Sequence, residues 1–472
     1  MKNIFTRLKT TSKAHVPLLV IGGLFSLLAG RTAFTKPFPL PYDENYHFGL
    51  IKLYAHHLNP FLSTQPQGAD SLGAVARDPS YFYHYLLSFP LRLLQALGLN
   101  VHTQILVLRS LNIALGLGTL YVVYRLALRI GLSAKTAWLP VLALAITPVF
   151  YELSAQVNYD NLFIGLTVLT VLAVLSITDK LRAGTLPIAK LCGFTALVLL
   201  ASIVKYSYLP IAFAATLFVA LSAYKHIGLK RLLTQLRHGF AGISSIGKVA
   251  LIVLVAVSGL LWYQRDGLNI VLYYTPHPQC QIALGVEQCA KYAPWARNYQ
   301  LRQTSAQRPQ DGLQVVAFTK YWFRAMVIET YSSIHAHNGV VVYSPYAEAR
   351  TVAKSLIAFG ALLATAFVLF SKRARVLWMP GIIVCAAYLA ALWVQNFSDF
   401  HHLHSPIAIQ GRYLLPAMPF VYLFATYGYT LFTRYSIAEA TQLQGNVAAG
   451  IKARALRPVT AVLKLAGTVR LV

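Results

Sequence analysis

Apolar runs of about 17 to 22 residues recur along nearly the whole chain, each long enough to cross a hydrocarbon core of roughly 30 Å. No soluble core requires so many uncharged runs of that length. A lipid-embedded helix does, because its backbone groups must be satisfied within the segment itself. The chain therefore reads as an all-α, polytopic membrane protein. Its 12% of charged residues agrees with this, since a soluble domain carries roughly 25%. Ten candidate spans can be placed, at about 16–34, 105–124, 136–152, 159–178, 188–204, 208–224, 248–264, 351–371, 376–396 and 413–433. The first starts deep in the chain and lacks a small-residue cleavage site, so it is expected to be an uncleaved helix.

Orientation follows from Lys and Arg in short loops, which stay cytoplasmic. With the N-terminus inside, the inner segments hold Lys2 to Lys13, Arg125 to Lys135, Lys180 to Lys190, Lys225 to Lys248, the "SKRAR" cluster at Lys372, and six bases from Arg434 onward. That is 24 of the 41 bases. Among the 14 acids, only Asp179 and Glu439 fall inside. The expected protein is thus a multi-pass cell-membrane protein with both termini cytoplasmic. The module would run over 1–433, and 434–472 would be a basic tail. The net charge of +27 is then topology and attraction to anionic lipid, and nucleic-acid binding is not expected.

Two outer segments are long, at about 36–104 and 265–350, and long loops in compact structures carry function. The inner segment "KHIGLKRLLTQLRHGF" alternates bases with Leu229, Leu232, Leu233 and Leu236, as an interfacial amphipathic helix does. The tail "TAVLKLAGTVRLV" has a similar pattern. Cys192 and Cys385 fall inside spans and read as packing residues. Cys280 and Cys289 lie in the second outer segment, where a local disulfide is expected.

The acid-poor chain puts two carboxylates side by side in "PFPLPYDENYHF". Pro39 and Pro41 stop the first helix, so Asp43 and Glu44 fall at the membrane surface. A new helix is expected from about Asn45, with Phe48, Ile51, Ala55 and Leu58 forming an interfacial stripe. The pair could cap that helix, but one short side chain suffices for a cap, which leaves Glu44 unexplained. Capping and catalysis are evenly matched on this stretch alone.

Other segments bring further ionisable groups to the same depth. His84 is central to "DPSYFYHYLL", "YELSAQVNYDNLF" supplies Glu152 and Asp160, "LASIVKYSYLPI" supplies Lys205, and "IQGRYLLPAMPF" supplies Arg412 and Tyr413. Ionisable groups at a membrane boundary are costly unless paired or used, and so mark a functional site. The cluster "DFHHLHSP", with Asp399, His401, His402 and His404, invites a metal reading. Solvated loop histidines are the commoner case, and neither a metal nor a cofactor is expected.

These motifs, in this order, resemble the GT-C superfamily of membrane glycosyltransferases, which includes the dolichyl-phosphate-mannose–protein mannosyltransferases and the lipid A aminoarabinose transferase. In that group an acidic motif, often Asp-Glu, follows the first transmembrane helix, and interfacial helices fill the first outer loop. Asp43-Glu44 matches the motif, "DPSYFYHYLL" is similar to the proline-aromatic segment that follows, and "GRYLLP" is similar to a motif of bacterial members. The resemblance covers about the first 210 residues by motif and the rest by topology. The second outer loop departs from it, since it does not look like the separate C-terminal domain that several relatives carry.

The resemblance implies an inverting transferase that takes a sugar from a polyprenyl-phosphate donor and passes it to a glycan, lipid or protein of the cell envelope. Asp43 would be the general base, and Glu44 or Asp160 would position the acceptor or tune Asp43. Lys205, Arg412, Tyr413 and His84 would bind substrate, the cations meeting the lipid phosphate. A transporter or flippase of a lipid-linked or anionic substrate is the rival class. It predicts broken helices at the midplane and repeated halves, and the sequence shows no internal repeat. A structural protein of an envelope complex is a further rival.

Overall fold

The computed structural model describes residues 2–305, 315–331 and 347–446. The tail segment expected to lie along the membrane is outside the described residues. Among these residues the protein is helical, with no strand, and it is an all-α polytopic membrane protein. Helix α1 (Lys2–Thr35) is followed by the short α2 (Glu44–Ala55) and α3 (Phe82–Ala96), then by the long α4 (Val101–Arg129). Asn100 caps α4, its side chain accepting from the Thr103 amide, as an unsatisfied N-terminal amide requires.

The window at 136–152 does not form one span. It divides into α5 (Leu139–Ala145) and α6 (Pro148–Ser154). Pro148 has no amide proton to continue the ladder, and it holds Thr147 extended, at φ −67° and ψ 118°. Thr147 Oγ1 meets the Ala143 carbonyl and the Tyr422 hydroxyl, each at 2.7 Å. Averaged hydropathy cannot see that break.

The chain continues as α7 (Asp160–Arg182), α8 (Ile188–Ser202), α9 (Leu209–Ile227) and α10 (Leu229–Ala241). The α10 helix is the expected amphipathic one, with Leu229 and Leu233 exposed and Leu232 packed on the core. Helix α11 (Ser245–Trp262) runs through a π-helical turn at Tyr263–Gly267 into α12 (Leu268–Tyr273). The second long connection then forms α13 (Cys280–Leu284), α14 (Val286–Cys289), α15 (Ala293–Gln303) and α16 (Val315–Tyr331). Cys280 and Cys289 are disulfide-bonded, as the sequence led us to expect. The last helices are α17 (Ala347–Phe370), α18 (Lys372–Leu403) and α19 (Met418–Asn446).

Among the described residues six helices are long and apolar enough to cross a membrane: Val16–Thr35, Val101–Arg129, Asp160–Arg182, Tyr206–Ile227, Ser245–Tyr273 and Ala374–Leu403. Ile188–Ser202 and Lys354–Ala366 are shorter apolar helices. The core is built by α4 packed on α1 and α7, by α7 on α9, and by α9 on α18. Helices α17 and α19 approach so closely that a Cβ on Gly428 would stand 2.1 Å from the Gly360 carbonyl oxygen. Small residues serve this role between membrane helices, where backbone contact replaces the hydrophobic drive of water.

The two long connections interlock. Arg265, in the π-helical turn, is fully buried. It donates to the carbonyls of Pro60 (3.0 Å), Leu62 (3.2 Å) and Ala76, and to the Tyr54 hydroxyl (3.2 Å). One guanidinium therefore pins the first connection onto the end of α11, its Nη1 and Nη2 donors meeting four acceptors of that connection.

Candidate active site

Three proline residues between α1 and α2 leave a short irregular link, and its end carries two successive strained residues. Tyr42 and Asp43 both sit in the left-handed region, each at φ 68°, a conformation that costs an L-residue roughly 1 to 2 kcal/mol. Neighbours hold them there. The Tyr42 carbonyl accepts from Asn158 Nδ2 at 2.8 Å and from Arg412 Nη1 at 3.1 Å. The Tyr42 hydroxyl donates to Glu329 Oε1, on α16, at 2.6 Å. Burial, and then the Glu329 carboxylate, push that hydroxyl well above its ordinary value, so it stays a donor.

Asp43 occupies the N-cap position of α2, yet its side chain makes no capping hydrogen bond. Its Oδ2 accepts instead from Arg412 Nη2 at 2.8 Å. The Asp43 side chain is 58% exposed, whereas that of Arg412 is 7% exposed. In this geometry the side chain is not the helix cap, because the carboxylate faces a buried cation rather than the helix amides.

Glu44 differs sharply from its neighbour. It is fully buried, and both oxygens are committed. Oε1 accepts from Arg109 Nε at 2.8 Å and the Val157 amide at 3.2 Å. Oε2 accepts from Arg109 Nη2 and the Leu40 amide, each at 2.7 Å. Arg109 Nη1 also donates to the carbonyls of Ala33 (2.7 Å) and Lys36 (3.0 Å). This bidentate pair ties together the end of α1, the link, α4 and the turn before α7. The expectation that Glu44 meets the acceptor thus finds no open oxygen, because four donors already occupy it.

Asp160 begins α7, and its Oδ1 pairs with Lys205 Nζ at 2.5 Å. Lys205 lies over the rings of Tyr159, Tyr413 and Phe163 at 4.7, 4.9 and 5.5 Å, a cage that favours a cation. Asp160 Oδ2 is buried and has no hydrogen-bond partner. Arg412 stacks on Tyr42 and Tyr413 at 4.9 and 5.0 Å and also donates to the Tyr413 hydroxyl at 3.1 Å. Asp43, Asp160, Lys205, Arg412 and Tyr413 are therefore brought together.

His84 is not available to a phosphate. It is fully buried, and burial lowers its value to about 4, so it is neutral. Its Nδ1 faces the Ser80 carbonyl at 3.1 Å and so carries the proton. Its Nε2 is then the acceptor from Nδ1 of His47, 2.9 Å away. That leaves the lone pair of His47 on Nε2, in a ring packed edge-on to Tyr159 at 4.5 Å. Burial, then His84, Arg412 and Lys205, keep His47 neutral. His47 lies in the stretch that carries the acid pair, and its pairing across to α3 was the part that the sequence reading missed.

The histidine pair has a consequence for stability. Its folded values lie below the ordinary range near 6.5, so the unfolded chain binds more protons as pH falls through that region. The contribution is complete above about pH 6.5 and is lost as pH falls toward about 4. The thermal midpoint of the detergent-solubilised protein should drop across that window, and His84→Gln should flatten the drop. Identical profiles for the two proteins would remove the pair as the cause.

The glycine of "GRYLLP" is as specific as its arginine. A Cβ on Gly411 would lie 2.4 Å from the Thr330 amide nitrogen and 2.8 Å from the Glu329 carbonyl carbon. Both are backbone atoms, so no side-chain rotation relieves the clash. Gly411→Ala should push the 3₁₀ turn at Gly411–Leu414 off α16, displace Arg412 and cost about 1 to 3 kcal/mol. An unchanged thermal midpoint would show that the two backbones separate freely.

The histidines at 401, 402 and 404 do not gather into a ligand set. No group of three or more His, Cys, Asp or Glu side chains placed to hold a metal occurs among the described residues.

Residues 88–262 match the family model described as dolichyl-phosphate-mannose–protein mannosyltransferase. That stretch contains Arg109, Asp160 and Lys205; the Asp43-Glu44 pair, Arg412 and Tyr413 fall outside it. Over that stretch the chain is similar to this family of membrane mannosyltransferases. A search of curated proteins finds no match. Among solved structures the chain is similar to the apo oligosaccharyltransferase of Archaeoglobus fulgidus, at 15% identity and a TM-score of 0.46, over 95% of this chain and 54% of that one. It is also similar to oligosaccharyltransferase AglB of the same organism in complex with an inhibitory peptide and a dolichol-phosphate, at 14% identity and a TM-score of 0.45, with the same coverage. The chain spans about half the length of these proteins.

Proposed function

We propose that the protein transfers a sugar from a polyprenyl-phosphate donor to a hydroxyl of a cell-envelope acceptor, with inversion, on the extracytoplasmic side of the membrane. The observation that carries this reading is Asp43 itself. It is a half-exposed carboxylate at the start of an interfacial helix, turned from the helix amides to a buried arginine. Arg412 holds Oδ2, and the carboxylate takes the proton from the acceptor hydroxyl as that oxygen attacks the anomeric carbon. The bond to the lipid phosphate breaks on the opposite face. Lys205 and Arg412, caged by aromatic rings at one level, stabilise the charge that develops on the phosphate. Asp160 orients Lys205 through the buried ion pair between them. Glu44 positions Asp43 through Arg109, and His84 sets the tautomer of His47. No metal or cofactor enters this scheme.

The direct test is donor turnover. Purified protein in detergent, given polyprenyl-phosphate mannose or arabinose with envelope lipid extract, should release polyprenyl phosphate and form a new glycoside. Silence toward every such donor would remove the transferase reading. The side of the membrane is checked separately with reporter fusions. Residues near 70 should report outside and those near 235 and 372 inside, because the short basic loops set that topology. An inside signal near 70 would put Asp43 in the wrong compartment.

A further inference from the structure

Beside Asp43 the two long connections enclose a cleft of about 100 Å³ that none of the site's groups explains. Tyr46, on the first turn of α2, and Tyr292, just before α15, adjoin each other in its lining. Their ring centroids are 6.0 Å apart. Asp78, Arg77 and His277, the last stacked on Tyr206 at 4.4 Å, complete its polar lining. The cleft is built rather than incidental. Tyr292 rests on Gly73, where a Cβ would meet its ring at 3.2 Å and where φ is +79°. The Asn269 side-chain amide bridges the carbonyls of Arg77 (2.8 Å) and Pro276 (2.9 Å). Lys291 pairs with Asp70 at 2.9 Å, and the Cys280–Cys289 disulfide closes the segment between.

The lining chemistry selects its occupant. Two tyrosines and a histidine offer ring faces to C–H groups, while Asp78 and Arg77 offer an acceptor and donors for hydroxyls. Asp78 Oδ1 accepts from the Ser80 amide at 2.8 Å, and Oδ2 accepts from the Tyr46 hydroxyl at a longer 3.2 Å. A carboxylate with one long bond retains lone pairs for a ligand. The two formal charges cancel, so the cleft favours a neutral polyol over a phosphate or a cation. Tyr46, in the lining, lies three residues beyond Asp43 at the start of α2, so the cleft is one helical turn from the carboxylate that would take the proton.

We propose that this cleft is the acceptor subsite, and that it takes one sugar ring, stacked on Tyr292 with hydroxyls on Asp78 and Arg77, so that another hydroxyl reaches Asp43. This rests on the transferase reading and narrows its acceptor to a glycan.

The test is ligand binding, which needs no turnover. Saturation-transfer NMR is run on the full chain in detergent with methyl α-mannopyranoside, methyl β-galactopyranoside and methyl α-arabinofuranoside. At least one glycoside should receive saturation, with the face that packs on tyrosine strongest. Tyr292→Ala and Asp78→Asn should each weaken binding about ten-fold, the scale of losing one well-placed anchor. Tyr292→Phe keeps the ring face and should bind nearly as well, which guards against a misfolded alanine variant. No transfer from any glycoside, or transfer indifferent to these substitutions, overturns the proposal. Displacement of the glycoside by undecaprenyl-phosphate mannose would make the cleft a donor-sugar pocket and overturn the acceptor assignment. If donor turnover fails while cleft-dependent binding persists, the transferase reading falls and the sugar site stands.

Discussion

Asp43→Asn should leave the protein folded and able to bind donor while lowering the transfer rate by about 10² to 10⁴, the usual cost of losing a general base. The substitution suits this site for a structural reason. Position 43 lies at φ 68°, and asparagine is among the few non-glycine residues that adopt the left-handed region readily. Alanine there would add backbone strain to the loss of the carboxylate and confuse the two effects. The asparagine carbonyl can also keep the contact now made to Arg412 Nη2. What it cannot do is accept a proton from a hydroxyl. Thermal midpoint and donor binding are measured beside the rate. A rate near that of the unaltered protein would remove Asp43 from the chemistry and leave Asp160, with its unpartnered oxygen, as the next carboxylate to test.

The groups that carry this reading could be found in the sequence because the chain is poor in acid. Fourteen carboxylates in 472 residues make an adjacent pair at a helix end conspicuous, and Asp160 stands out for the same reason, whereas Lys205 and Arg412, two of 41 bases, are marked by their place at the ends of apolar runs. Charge counting gives the expected side of each helix end, which the reporter fusions test. The distribution of labour between them did not follow. Glu44 and Arg109 are 65 positions apart, and Arg109 lies within the apolar run at 105–124, where a lone charge should itself have signalled a buried partner. Tyr42 and Glu329 are 287 positions apart, and nothing local joins them.

Periodicity had similar limits. The expected stripe in the first interfacial helix holds for Phe48 and Ile51, which are buried. Leu58 falls beyond the end of α2 at Ala55 and is 79% exposed. His47 and Tyr54 face inward instead, because the helix packs on α3 as well as on the bundle. An amphipathic pattern gives one apolar face, and a helix held on two sides hides more than that. The break at Thr147–Pro148 shows the converse, since a run can have the composition of a span and still be two short helices.

The second large effect concerns Glu44, and there the loss should be of fold before chemistry. All four groups that touch its carboxylate are donors: Arg109 Nε and Nη2, and the amides of Leu40 and Val157. Glu44→Gln has one acceptor oxygen where two are needed, so its NH₂ must point at a donor, and Arg109 is left as a buried charge without its counter-ion. Breaking such a pair from one side costs about 3 to 5 kcal/mol. The thermal midpoint should fall steeply, and Arg109→Met should do the same from the other side. The double variant Glu44→Leu with Arg109→Met removes both charges at once. It should recover part of the lost stability, since well-packed apolar residues replace buried ion pairs at little net cost. Activity should not return with it. The pair also holds the Ala33 and Lys36 carbonyls through Arg109 Nη1 and the Leu40 and Val157 amides through Glu44, and those contacts fix the link that presents Asp43. Stability restored without transfer would mark Glu44 as the residue that positions the base. A Glu44→Gln protein with an unchanged midpoint and a collapsed rate would instead put Glu44 in contact with substrate.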